Sequence, residues 1–187
     1  EEMYLRYFAW QFIGRGERET HPWHIKDLNG GNITLNNLNI INNDSGGITS
    51  FGGNLTINNS SLDNNNETAI LNYSTNVIIN NTIISNNSWY YQSAIDNRGT
   101  MILFRCEISN NVNDYGNAGY SDGIIKNDGY LQLNQCTVVN NQAPDHAIIV
   151  SRDSDSQLII INSIIWGNTY FSTANISVYP STAYSVT

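Results

Sequence analysis

The feature that most constrains this chain is a repeat that keeps one internal spacing from copy to copy. From Ile33 onward, apolar or small residues recur at offsets 0, 2, 5 and 7, and a polar pair follows at offsets 9 and 10. The first three copies read Ile33, Leu35, Leu38, Ile40 with Asn42-Asn43; Leu55, Ile57, Ser60, Leu62 with Asn64-Asn65; and Val77, Ile79, Thr82, Ile84 with Asn86-Asn87. The next three read Met101, Leu103, Cys106, Ile108 with Asn110-Asn111; Leu131, Leu133, Cys136, Val138 with Asn140-Asn141; and Leu158, Ile160, Ser163, Ile165 with Gly167-Asn168. Successive copies start 22, 22, 24, 30 and 27 residues apart.

Alternation at offsets 0 and 2, a slip of one residue, then alternation at 5 and 7 describes two short strands joined by a bend. A third apolar patch follows each polar pair, as in Ala69-Ile70 and Ala147-Ile148. Three short strands in a period that small predict an all-β parallel solenoid of about six three-strand coils. The longer copies carry their extra residues between the polar pair and the third strand, in Ser88–Ser93, Val112–Asp122 and Gln142–His146. These inserts are therefore expected along one edge.

Stacking also accounts for the composition. The chain contains 31 Asn, while charged residues make up 13%, against about 25% in an average domain. In a parallel solenoid each residue sits about 4.8 Å above its equivalent, so side-chain amides can hydrogen-bond their own copies as in cross-β stacks. Asn also tolerates the left-handed backbone of tight bends. The expected columns are Asn42, Asn64, Asn86, Asn110, Asn140; beside them Asn43, Asn65, Asn87, Asn111, Asn141, Asn168; and a third of Ser50, Asn72, Asn97, Asn127. The formal charge of −8 argues against a nucleic-acid partner, which would need a basic face. No 18-residue apolar run is present to span a membrane as a helix.

The stretches Gly52–Asn65 (GGNLTINNSSLDNN), Asn162–Asn168 (NSIIWGN) and Ala183–Val186 (AYSV) resemble the coils of right-handed parallel β-helix repeat proteins of bacterial surfaces. The resemblance spans residues 30–187 and implies an exported, extracellular or cell-surface protein. Some members of that group are adhesin-like and others are polysaccharide lyases with Asp, Arg and Lys on an outer face. The family pattern would continue past the last residues, so a longer polypeptide is expected. Residues 1–29 stand outside the repeat, and the aromatic run Met3–Arg15 is expected to cap the first coil. That run is also similar to a loop of bacterial membrane proteins related to O-mannosyltransferases.

Two functional expectations follow. The first is a non-catalytic secreted or surface module that binds a glycan or a protein through the insert-bearing edge. Its candidate contacts are Trp89, Tyr90, Tyr91, Tyr115 and Tyr120, since exposed rings stack on sugars. The alternative is a polysaccharide lyase or glycoside hydrolase acting on an acidic polysaccharide through Asp96, Arg98, Arg105, Glu107 and Lys126. Asp96 and Lys126 occupy equivalent outward positions, so a cross-strand ion pair is the plain structural reading of part of that set. No cofactor is expected apart from calcium, for which Asp153 and Asp155 offer two hard oxygen ligands without an EF-hand spacing. His21 and His24 lack a third zinc ligand and read as turn residues. Cys106 and Cys136 share one inward column, where buried thiols are favoured over a disulfide because stacked Cβ atoms stay too far apart.

Overall fold

A computed structural model describes residues 25–27, 31–44, 46–73, 76–89, 93–113, 123–143, 147–170, 176–178 and 183–186. The described residues form an all-β parallel solenoid with no helix. Its long sheet stacks seven strands: Asn32–Asn36, Asn54–Asn58, Asn76–Asn80, Thr100–Phe104, Tyr130–Asn134, Gln157–Ile161 and Ala183–Val186. A second sheet holds six strands, from Asn39–Ile41 to Ile164–Trp166, and a third holds seven, from Ile25–Asp27 to Ile176–Val178. Every strand pairs in parallel with its copy one coil away, and the columns are vertical: Ile33, Leu55, Val77, Met101, Leu131 and Leu158 are consecutive register partners. The alternating apolar side chains of the three sheets converge on one core, in which Ile57, Ile79, Leu103 and Leu133 are fully buried.

Two features go beyond the repeat as read. A fourth sheet of two-residue strands lies between the second and third: Ser88–Trp89, Val112–Asn113, Gln142–Ala143 and Thr169–Tyr170. The coils bearing it thus have four strands instead of three. The ladder of the third sheet begins at Ile25–Asp27, ahead of the boundary at residue 30. The expected aromatic cap at Met3–Arg15 lies outside the described residues.

Left-handed residues turn two corners of each coil. Between the long and second sheets they are Asn37, Asn59, Asn81, Arg105, Gln135 and Asn162, with φ from 48° to 55°. After the second sheet they are Asn42, Asn64, Asn86, Asn110 and Asn140, and Gly167 takes this place in the sixth copy. Asn suits both corners because its short side chain can satisfy nearby backbone groups in this conformation.

The neighbouring inward column forms a continuous buried amide ladder. Asn43, Asn65, Asn87, Asn111 and Asn141 each donate from Nδ2 to Oδ1 of the next member, ending on Asn168, at 2.7–3.0 Å. From Asn65 on, the other Nδ2 hydrogen goes to a carbonyl of the preceding coil, as in Asn111 to Ile84 O at 2.9 Å. A second inner ladder runs Asn72, Asn97, Asn127, Ser151. Cys106 and Cys136 are free and buried. Each Sγ lies 3.4 Å from a main-chain carbonyl, Ile79 O and Leu103 O respectively, the arrangement of a donating thiol. The neighbouring Cys136 sulfur, together with burial, pushes the Cys106 thiol above its ordinary pKa.

Candidate functional site

Charge concentrates where the third sheet turns into the long sheet. Asp96 and Lys126 are register partners on adjacent strands of the third sheet, in a column with Leu71 and Val150. Each strand ends on an inward ladder residue, and the following residue begins the corner: Tyr73, Arg98, Asp128 and Arg152. The alternation that turns Ile95 and Asn97 inward therefore sends Asp96 outward, within reach of Arg98.

Arg98 grips Asp96 with two hydrogen bonds, Nε to Oδ1 at 3.2 Å and Nη2 to Oδ2 at 2.8 Å. Lys126 Nζ stands 4.0 Å from Asp96 and 3.0 Å from Asp128. The Asp96 side chain is only 6% exposed, so this is a covered pair and not the open surface bridge expected from its outward position. The hydrogen bond to Asp96 raises the Arg98 pKa above its ordinary value, with burial acting against it. The Arg98 guanidinium also lies 4.8 Å over the Tyr73 ring, which is stacked on Phe51 at 4.8 Å and 7°. The facing sides of these two rings are occupied by each other.

The five residues proposed from sequence for catalysis thus fall into two groups. Asp96, Arg98 and Lys126 meet on the third sheet, where the Asp96 carboxylate is already bound at both oxygens. Arg105 sits at the corner between the long and second sheets, and Glu107 lies in the second sheet strand that follows, accepting a hydrogen bond from Ser109 Oγ at 2.7 Å. The cluster on the third sheet leaves one open acceptor, the buried Asp128 Oδ1. Of the proposed calcium ligands, Asp153 opens a turn whose carbonyl accepts from Ser156 Oγ at 2.6 Å. The described residues contain no group of three acidic, Cys or His side chains placed to share a metal.

Of the proposed binding residues, Trp89 lies in the two-residue strand Ser88–Trp89, its backbone in register with Asn113. Tyr90, Tyr91, Tyr115 and Tyr120 lie outside the described residues, as do His21, His24 and His146. Sequence reasoning missed Ile164 and Trp166, which are 61% and 76% exposed on the outward positions of the last strand of the second sheet. The available signal was a Trp at an outward offset that the earlier copies fill with smaller residues, Ile41, Asp63, Ser85, Ser109 and Val139.

Residues 25–185 match the family model of the right-handed β-helix region. The chain belongs to that family, which also fixes the hand of the solenoid. No curated protein and no solved structure matches the chain. No helix among the described residues is long and apolar enough to cross a membrane.

Proposed function

We propose that this chain is a non-catalytic module of an exported, cell-surface β-helix protein, binding a glycan or a partner protein through its insert-bearing edge. The observation that carries this reading is the fourth sheet. Its strands Ser88–Trp89, Val112–Asn113, Gln142–Ala143 and Thr169–Tyr170 stack in parallel. The stems of successive inserts are thus aligned about 4.8 Å apart on a fixed scaffold. Loops held in a row by a rigid frame are a common way to build an extended recognition surface. The Asp96 cluster speaks for this reading over the lyase alternative, because its carboxylate is occupied by Arg98 instead of standing ready for a substrate.

The test is binding to a glycan array and to candidate surface proteins, for the wild type and for the triple variant Trp89→Ala, Tyr90→Ala, Tyr91→Ala. Loss of binding in a variant that stays folded by circular dichroism supports the reading. Unchanged binding overturns it, as does turnover of an acidic polysaccharide to unsaturated products.

A further inference from the structure

The inward column that follows the first corner reads Leu38, Ser60, Thr82, Cys106, Cys136, Ser163, and its hydroxyl members share one pattern. Ser60, Thr82 and Ser163 each donate to the carbonyl two residues back, at 2.8–2.9 Å. Each also accepts a main-chain N–H from the coil before, those of Leu38, Ser60 and Cys136, at 3.0–3.4 Å. A hydroxyl therefore serves this position both as donor and as acceptor. The fourth and fifth coils give it up in succession for sulfur, which is weak in both roles. A local rule broken twice, in neighbouring coils, points to a use for the pair.

The two sulfurs take the same attitude. Cys106 Sγ lies 3.4 Å from Ile79 O and Cys136 Sγ lies 3.4 Å from Leu103 O, and Ile79 and Leu103 are themselves register partners. The spacing of the sulfurs thus follows that of the coils, about 4.8 Å. A disulfide needs about 2.05 Å between sulfurs, far less than this stacking gives. A metal–thiolate bond is about 2.3 Å, so two of them in line span about 4.6 Å, close to the coil step. Thiolates select soft ions such as Cu(I). With the cysteines only 3% and 1% exposed, the setting is dry. Zinc would want four ligands, and no third Cys, His or carboxylate joins these two among the described residues. The Cys106 sulfur lowers the Cys136 thiol below its ordinary pKa, burial opposes this, and the main chain at Cys106 and Asn134 acts with it. Cys136 is therefore the thiol whose proton is the more easily displaced.

We propose that Cys106 and Cys136 form a buried two-coordinate site for a soft monovalent cation, Cu(I) or its redox-inert counterpart Ag(I), held in line between adjacent coils. The ion replaces the Cys136 proton, which leaves to solvent, and the Cys106 sulfur completes the pair through a lone pair. Thiolate and ion then cancel in charge, which matters because an uncompensated charge in a dry core is costly. The site does not rest on the function proposed for the insert-bearing edge.

The test uses Ag(I) alone, added to the folded protein and, because the site is buried, also during refolding from urea. After dialysis, wild type should retain one ion per chain by native mass spectrometry with no change in oligomeric state. Its melting temperature should rise, since the ion joins the fourth and fifth coils. X-ray absorption at the silver edge should show two sulfur neighbours, and Zn(II) carried through the same steps should be lost. Cys106→Ser and Cys136→Ser install the residue that the column uses elsewhere, so both should fold as wild type does by circular dichroism. Each should bind Ag(I) at least tenfold more weakly and show no melting shift. Refolded wild type that keeps no Ag(I), a shell other than two sulfurs, or a single Ser variant that binds like wild type overturns the assignment.

Discussion

Asn111→Ala tests what holds the coils in register. Asn111 Oδ1 accepts two hydrogen bonds, from the main-chain N–H of Asn87 and from Asn87 Nδ2, each at 3.0 Å. Asn87 and Asn111 are 1% and 0% exposed, so water does not replace the lost acceptor. Each buried donor left without a partner costs about 1–3 kcal/mol, which places the substitution at about 2–6 kcal/mol, a large share of the 5–15 kcal/mol typical of a domain. The matched control is Asn80→Ala in the outer column, whose amide donates to Asn58 Oδ1 at 2.8 Å but lies partly in solvent. There the expected cost is within about 0.5 kcal/mol. Urea denaturation followed by circular dichroism measures both. Equal costs for the two variants would refute the assignment of stability to burial of the ladder. Asn111→Asp sharpens the test, because a carboxylate would face two acceptors, Asn141 Oδ1 and Ile84 O. The folded carboxyl is then held above its unfolded value of about 3.9. Stability is therefore retained below that value and lost as pH rises through the folded one. The variant should recover relative to wild type as the pH is lowered from 7 to 4.

Three further outcomes are expected. Gly129→Ala would place a Cβ against the main-chain oxygen of Gly99 in the coil below and open the corner, lowering stability by about 1–3 kcal/mol in the same urea assay. Arg98→Ala removes both hydrogen bonds to the covered Asp96 carboxylate and leaves it Lys126 at 4.0 Å, a cost of about 1–2 kcal/mol after allowing for the partial exposure of Arg98; Arg98→Lys should restore only part of it, because the paired geometry is lost. Cys106 and Cys136, buried and donating to carbonyls, should react with a thiol reagent only slowly in the native protein and fully in denaturant; rapid labelling of the folded chain would contradict that burial.

The parts of the fold legible in the sequence are those repeated once per coil. Leu55, Val77 and Met101 share a register because the same offset recurs with the same kind of residue, and the inner Asn column is legible for the same reason. The first corner was half visible: Asn36-Asn37, Asn58-Asn59 and Asn80-Asn81 mark it as clearly as the later pairs do, but Phe104-Arg105 and Asn134-Gln135 break the pattern in the fourth and fifth coils. Strands such as Val112–Asn113 are too short to show an alternation, so the fourth sheet had no periodic signal. Parity of position gave the direction of Asp96 but not its cover, because exposure depends on Arg98 and Lys126 folding over the carboxylate. Trp166 was passed over because it ends an apolar run, where only its offset separates an outward ring from a core residue.

The constant 22-residue step of the first three coils makes this molecule a measuring rod. Duplicating or excising one such block would rejoin strand to strand and amide to amide at the junction, changing the length by about 4.8 Å while leaving the rungs away from the junction on the partners they now have. The distance between the two ends is thus a trait that can be altered in whole increments without redesigning the interior.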